Sequence, residues 1–213
     1  MSAAVPPPPP QPPASPSPAG SYPATFTYDP PETIARWRVI GNFVLAIPQF
    51  IVLYALGIVA EVLGVVAWIL GVFTGKVPEG ILGPIAMYIR YSTRVGVYAG
   101  FLTEEYPPFT FSTAFADPGD YPRVRVDFTP QLEGRNRLTI FFRLIMVIPH
   151  FVVLAILGVA AGLAYVIAWF AVLFTGKWPV GIRNFIIGLQ RWSTRVNAYF
   201  YLLNDEFPPF SMS

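Results

Sequence analysis

The chain has 213 residues, of which 54% are hydrophobic and only 12% are charged. A soluble globular domain carries about 25% charged residues, so water is not the solvent for most of this surface. The formal net charge of +2 is too small to indicate a nucleic-acid partner, and the absence of Cys excludes disulfides, thiolate metal sites and a cysteine nucleophile. We therefore expect an integral membrane protein.

Residues 1–21 are dominated by proline, alanine and serine. Because proline fixes φ and has no N–H, this segment is predicted to be a disordered, semi-extended tail. A second interpretation is that the tail is a docking ligand for a proline-binding module.

Two short segments, residues 22–28 and 123–128, alternate and are rich in aromatic and β-branched residues, which predicts β-strands. Residues 109–112 and 210–212 have a similar composition, so the four segments could form a small cytoplasmic sheet beside the membrane. Residues 113–120 between them are predicted to be a linker.

Residues 39–73 form an almost uninterrupted apolar run. A straight helix of this length would extend about 52 Å, whereas the hydrocarbon core is about 30 Å thick. Cations flank the run, with Arg38 before it and Lys76 after it, and cationic loops stay on the cytoplasmic side. The pattern predicts a transmembrane or re-entrant helical hairpin with its turn near residues 57–64. The alternative is one long, tilted helix kinked at Pro48.

Residues 77–102 are predicted to form a second helix. Arg90 and Arg94 are four residues apart and share one face, while isoleucines follow the other. This pattern is typical of an amphipathic helix in the headgroup plane with its arginines toward phosphate. The alternative is another membrane span, which would place both arginines near the bilayer centre at about 2.5–3.5 kcal/mol each.

The chain then repeats itself at a constant offset of 101 residues. Over the 63 positions of residues 47–109, 30 are identical to their partners. We therefore expect two tandem membrane repeats, repeat 1 at residues 22–112 and repeat 2 at residues 121–213, and a second hairpin turn near residues 158–162.

Positions kept in both copies supply the candidate sites. Tryptophan and tyrosine prefer the membrane–water boundary, so we expect interfacial anchors at Trp68, Tyr98, Trp169 and Tyr199. A lysine just ahead of a helix N-terminus, together with two arginines, is suited to the phosphate of an anionic lipid headgroup. These phosphate candidates are Lys76, Arg90, Arg94, Lys177, Arg191 and Arg195. The alternative is that all of these residues only anchor and orient the helices.

No catalytic residues, metal ligands or cofactors are predicted. The repeated Thr-Gly-Lys lacks the first glycine of a nucleotide-binding P-loop. His150 is the only histidine and aligns with Gln49, which excludes a catalytic base shared by both copies. Glu61 faces water if it lies at a hairpin turn, whereas at bilayer depth it would be a proton or cation site.

Several motifs together resemble the bacterial membrane family called domain of unknown function 4389. They are Arg-Trp-Arg (36–38), Ala-Ile-Pro-Gln-Phe (46–50), Phe-Thr-Gly-Lys (73–76), Arg-Tyr-Ser-Thr-Arg-Val (90–95) and Leu-Thr-Glu-Glu-Tyr-Pro-Pro-Phe (102–109), most of them matched again in the second copy. The resemblance implies an integral bacterial membrane protein and assigns no catalytic residues.

These features together predict an all-α membrane protein with a hairpin and an amphipathic interfacial helix in each repeat. We expect a non-catalytic accessory or scaffold subunit of the bacterial cytoplasmic (inner) membrane, multi-pass with a cytoplasmic N-terminus. Its expected partners are anionic lipid headgroups or a larger membrane complex. The alternatives are a transporter or channel component for an ion or lipid, and an enzyme acting on lipid.

Overall fold

The computed structural model describes residues 22–213, so the tail predicted at residues 1–21 lies outside the described residues. The described chain is mostly helical. In chain order it contains β1 (Ala24–Tyr28), α1 (Arg38–Leu45), α2 (Ile47–Thr74), α3 (Glu79–Ala99), β2 (Val124–Phe128), α4 (Arg137–Thr175) and α5 (Val180–Phe200).

The predicted helical hairpins are wrong. α2 continues through residues 57–64, and α4 continues through residues 158–162. A glycine inside a helix costs only about 1 kcal/mol relative to alanine, and no proline or turn-forming polar cluster accompanies these glycines. The turns come later, at Gly75 and Gly176, whose φ angles of 70° and 71° end the two helices in the left-handed conformation that glycine adopts without strain. Each repeat therefore has the long helix that was the alternative prediction.

The antiparallel pair in each repeat consists of the long helix and the helix after it. In repeat 1, Gln49 of α2 bonds Tyr91 of α3, and Asn42 of α1 donates to the carbonyl of Tyr98, 2.8 Å away. In repeat 2, Trp192 of α5 donates to His150 of α4 at 3.3 Å. The aligned residues of the two repeats thus make the aligned contacts.

The predicted exposed arginine face of the second helix is wrong for α3. One side of α3 packs on α2, and the other is covered by β2 and the linker. Arg90 and Arg94 are only 3% and 2% exposed. Protein, rather than solvent or lipid, surrounds these two side chains.

The sheet has two strands rather than four, and the repeats exchange them. β1 and β2 pair antiparallel, with Phe26 opposite Val126. β1, from repeat 1, packs on α5 of repeat 2, while β2, from repeat 2, packs on α3 of repeat 1. Residues 109–112 and 210–212 form no strand.

The start of each long helical unit lies beside the end of the other. The N–H of Ile34, just before α1, donates to the carbonyl of Gly176 at the end of α4 (2.8 Å), and the N–H of Arg135, just before α4, donates to the carbonyl of Gly75 at the end of α2 (3.3 Å). These two bonds are equivalent once the repeats are exchanged. The α1–α2 unit and α4 therefore run antiparallel, related by an approximate two-fold axis that also passes through the sheet.

α2 and α4 expose apolar side chains around most of their circumference. Both are long and apolar enough to cross a membrane, and only 11% of the most apolar stretch of each is buried. The most exposed of these side chains are Ile51, Tyr54, Phe73, Val159 and Phe174.

Candidate functional site

The two arginine pairs lie on equivalent helices but have different surroundings. In repeat 1, the Arg90 guanidinium donates to four main-chain carbonyls that belong to β2 and to the segment around the linker. They are those of Val126 (3.1 Å), Ser112 (3.2 Å), Ala114 (2.8 Å) and Phe115 (3.0 Å). The linker therefore folds back over α3 and is held by this arginine.

Asp117 of the linker neutralises the repeat 1 pair. Both of its carboxylate oxygens accept from Arg94 at 3.0 Å, and Arg90 Nε lies 3.6 Å away. The main-chain N–H of Val126 also donates to this carboxylate at 2.9 Å, and Asp120 forms a second ion pair with Arg94 at 2.9 Å. The Asp117 side chain is only 2% exposed, so the charge cluster is buried, and within it Nε of Arg94 is the one buried side-chain nitrogen or oxygen that lacks a hydrogen-bond partner among the described residues.

The repeat 2 pair contacts main-chain oxygens instead of an Asp or Glu side chain. Arg191 donates to the carbonyls of Phe26 (3.4 Å) and Met212 (3.1 Å), and Arg195 donates to the main-chain oxygen of Ser213. Among residues 22–213, the ion pairs involve neither arginine.

A groove of about 600 Å³ lies beside this second pair, and we call it the arginine groove. Its walls are β1, the two arginines and the segment after α5, with Glu206 as the acidic residue that contributes to its lining. Arg195 lies over the ring of Tyr22 at 5.9 Å, as Arg94 lies over Tyr121 at 5.7 Å. The arginine groove thus occupies the position that the linker fills in repeat 1.

The pKa shifts reflect this difference. Burial lowers the pKa of Arg90, and Asp117 opposes that shift by stabilising the charged form. Burial also lowers the pKa of Arg195, and its neighbour Arg191 lowers it further. Arg195 therefore lacks the aspartate that opposes this shift at Arg90.

The lysines do not join the arginines in a common phosphate site. Lys76 lies in the turn before α3, with its side chain 61% exposed and paired with Glu133 at 3.1 Å. Arg90 lies 11 residues beyond the start of α3, which is about 16 Å along the helix axis. Lys177 is exposed at the equivalent turn before α5.

The four aromatic residues predicted as interfacial anchors are buried to different extents. Tyr98 and Tyr199 are fully buried, and the ring of Tyr199 stacks under the guanidinium of Arg143 at 4.3 Å. Trp68 and Trp169 are half-buried, and Trp68 donates to the carbonyl of Ile140 at 3.1 Å. Trp68 thereby connects the end of α2 to the start of α4.

Arg143 is the centre of a buried hydrogen-bond network that was not predicted from the sequence. Arg143 donates to the carbonyls of Tyr199 (2.7 Å) and Asn204 (2.9 Å) and pairs with Asp205. Asn42, its partner in the repeat alignment, makes the corresponding bonds to the carbonyls of Tyr98 and Thr103. A polar residue at aligned positions inside both apolar runs was the available signal.

His150 lies in an aromatic cage, stacked on Phe210 at 4.0 Å and beside Phe207 at 4.8 Å. Its Nδ1 accepts from Trp192, and its buried Nε2 has no partner among the described residues. Across residues 22–213, no group of three or more His, Asp or Glu side chains is arranged to hold a metal ion.

Glu61 is exposed near the middle of α2 rather than at a turn. It borders an apolar groove of about 240 Å³ between the repeats, lined also by Gly64, Trp68, Leu144 and Tyr201.

A family model described as domain of unknown function (DUF4389) matches residues 36–110 and again residues 137–212. No curated protein and no solved structure matches the chain significantly.

Proposed function

This chain belongs to the family described as domain of unknown function (DUF4389), in two tandem copies, and on that premise we propose that it is a non-catalytic membrane scaffold. One apolar face lies in the lipid bilayer, and the opposite, polar face binds anionic groups. The observation that carries this proposal is the apolar surface of α2 and α4, since exposed side chains such as Tyr54 (75%) and Val159 (69%) are too many and too contiguous for a face in water.

The sheet supports an orientation for this face. The outward positions of the two strands are polar: Thr27 and Arg125 are exposed, and Thr25 and Asp127 are half-buried. Because the sheet lies on the approximate two-fold axis, it sits midway between the two ends of the antiparallel long helices.

The long helices are therefore best placed with both ends on one side of the bilayer. If α2 and α4 crossed in opposite directions, the sheet would lie at mid-depth with Arg125 in lipid, at a cost of about 2.5–3.5 kcal/mol for that side chain alone. A re-entrant or in-plane course submerges the apolar middles and keeps the sheet and the basic helix ends in water. We propose that this aqueous side is the cytoplasm, where cationic flanks are retained.

Cysteine labelling tests this arrangement, because the natural chain has no cysteine. Arg36→Cys and Lys76→Cys flank the α1–α2 unit, and Thr27→Cys reports on the sheet. In sealed inner-membrane vesicles of known orientation, a membrane-impermeant maleimide should label all three from the same side. Labelling of positions 36 and 76 from opposite sides would refute it.

The scaffold assignment is supported by how the buried polar groups are used. Arg90, Arg94 and Arg143 bind main-chain carbonyls and carboxylates of their own chain. These groups hold the fold together, which leaves the two faces as the surfaces available for interaction.

A second candidate is transport, which Glu61 favours. This acid lies near the middle of an apolar helix beside a groove between the repeats, and a submerged carboxylate is a common ion or proton site. In proteoliposomes, Glu61→Gln should abolish ion or proton flux if transport is the function. Equal flux in the variant and the natural protein would remove this candidate.

A further inference from the structure

We propose that the apolar groove beside Glu61 binds a hydrophobic amine, with the ammonium group against the Glu61 carboxylate and the apolar body of the molecule between the repeats. We call this groove the inter-repeat groove, and its lining includes Glu61, Gly64, Trp68, Leu144 and Tyr201. The inference concerns binding alone, so it holds whether or not the ligand is transported. It rests on the proposed function only for the placement of α2 in lipid.

Glu61 emerges from α2 between two glycines against which tyrosine rings pack. Gly57 and Gly64 lie one turn before and one turn after Glu61, so all three share one face of the helix. A Cβ at Gly57 would lie 3.6 Å from the ring of Tyr88, and a Cβ at Gly64 would lie 3.0 Å from the ring of Tyr201. The two rings meet edge to face, with their centroids 6.3 Å apart. The carboxylate therefore lies beside a pair of aromatic rings, which attract an organic cation.

Glu61 takes part in none of the ion pairs that are formed within residues 22–213. The side chains that line the inter-repeat groove also include no Lys, Arg or His. A carboxylate on an apolar, lipid-facing helix is costly when no positive charge compensates it. A bound ammonium group supplies that positive charge.

The rest of the inter-repeat groove selects an apolar molecule. Its volume is about 240 Å³, and its other walls include Val65, Phe200 and Leu202. A Ca²⁺ or Mg²⁺ ion would need about six or more oxygen ligands, and across residues 22–213 no group of three or more His, Asp or Glu side chains is arranged to hold a metal ion. A molecule with one ammonium group and an apolar body matches both the single carboxylate and the apolar walls.

The approximate two-fold symmetry of the molecule is broken at this groove. In the repeat alignment, Gly162 is the partner of Glu61, and Tyr165 is the partner of Gly64. The ring of Tyr165 packs on Phe101, with centroids 5.9 Å apart. A tyrosine ring therefore lies where Gly64 leaves the inter-repeat groove open, so the opening and the acid occur at the same end of the molecule.

The position of Glu61 favours a free small amine over the amine of a phospholipid headgroup. Glu61 lies near the middle of α2, about 20 Å along the helix axis from each end. In the proposed arrangement this middle is submerged, whereas the helix ends lie at the membrane surface with the headgroups. A lipid-soluble amine reaches the inter-repeat groove from the hydrocarbon core, which a headgroup does not enter.

The probe is anthracenylmethylamine, a fluorescent hydrophobic amine that is cationic at neutral pH, and its neutral counterpart is anthracenylmethanol. We expect saturable binding of the amine to the full chain in nonionic detergent, measured by energy transfer from tryptophan, since Trp68 lines the groove. The alcohol should bind about tenfold more weakly, because it lacks the charge. Glu61→Gln should lower the affinity for the amine about tenfold and leave the affinity for the alcohol unchanged.

Glu79→Gln is the matched control, because it removes an exposed acid at the start of α3, outside the groove, and should leave both affinities unchanged. Absence of saturable binding, equal affinities for the amine and the alcohol, or undiminished binding of the amine to Glu61→Gln would overturn the proposal. Displacement of the amine by micelles containing phosphatidylethanolamine, but not by those containing phosphatidylglycerol, would assign the groove to a lipid headgroup and overturn it as well.

The amine and the alcohol are compared on the natural protein, so the test stands even if a variant fails to fold. Because the binding is measured in detergent, it is independent of the labelling experiment in vesicles. A negative binding result leaves the proposed membrane arrangement intact, and labelling from opposite sides leaves the binding result intact.

Discussion

At the scale of single residues, the most consequential contact is the one between Asp117 and two arginines of α3. All three side chains are nearly excluded from water, and their charges are compensated by one another, by main-chain groups and by Asp120, which pairs with Arg94. Removing one member of such a cluster leaves the others buried without compensation.

Asp117→Asn should therefore destabilise the protein strongly, by about 3–5 kcal/mol, as breaking a buried ion pair does. The measurement is the free energy of unfolding in detergent, followed by circular dichroism. Glu133→Gln is the control, because its partner Lys76 is exposed and a surface pair contributes about 0–1 kcal/mol. Equal losses in the two variants would mean that the linker cluster contributes no more than a surface pair.

The arginine spacing correctly predicted that each pair shares one helix face, but it could not predict what covers that face. Asp117 lies 23 residues after Arg94, in a segment identified only as a linker. No local pattern indicates that this linker returns to α3. For the same reason, the lysines were grouped with the arginines by closeness in sequence, although about three turns of helix separate Lys76 from Arg90.

At the scale of elements, the continuity of the long helices is the main difference from the sequence-based expectation. The hairpin was predicted because of the mismatch between the length of the apolar run and the bilayer thickness, and because cations flank both ends of the run. A helix that lies along or dips into the membrane removes that mismatch without a turn. The position of the turns was instead encoded by Gly75 and Gly176, where a positive φ is required.

Gly158→Ala should accordingly stabilise the protein, by about 0.4–1 kcal/mol, because alanine suits a helix interior and its Cβ meets no atom within 4 Å. Gly176→Ala should destabilise it, by about 1–2 kcal/mol, because φ is +71° and the added Cβ would lie 3.2 Å from the carbonyl oxygen of Ile34. Thermal unfolding in detergent compares the two. The opposite order would place the turn where the sequence pattern first suggested it.

At the scale of the whole molecule, the exchange of strands joins the repeats into one body. Internal repetition predicted two similar units, and the family match in two copies, residues 36–110 and 137–212, confirms the tandem arrangement. It could not predict the exchange, since a strand that packs on its own repeat and one that packs on the other have the same local sequence.

Phe26→Ala should loosen repeat 2 more than repeat 1, although Phe26 precedes repeat 1's helices. The side chain is 3% exposed and belongs to the strand that packs on α5, and truncating a buried phenylalanine costs about 3–5 kcal/mol. Hydrogen–deuterium exchange should rise more in α5 than in α3. Val126→Ala is the reciprocal variant and should affect α3 more, whereas the same pattern in both variants would contradict the exchanged arrangement.

The exchange of strands also determines the order in which native contacts can form during translation. β1 emerges from the ribosome before the described helices, yet the surface it covers is on α5, which is synthesised after all the others of them. Until then Phe26 and its neighbours lack the helix surface on which they pack, and such uncovered apolar strands are prone to wrong associations. The strand that is made first therefore cannot reach its native contacts until α5 has been translated.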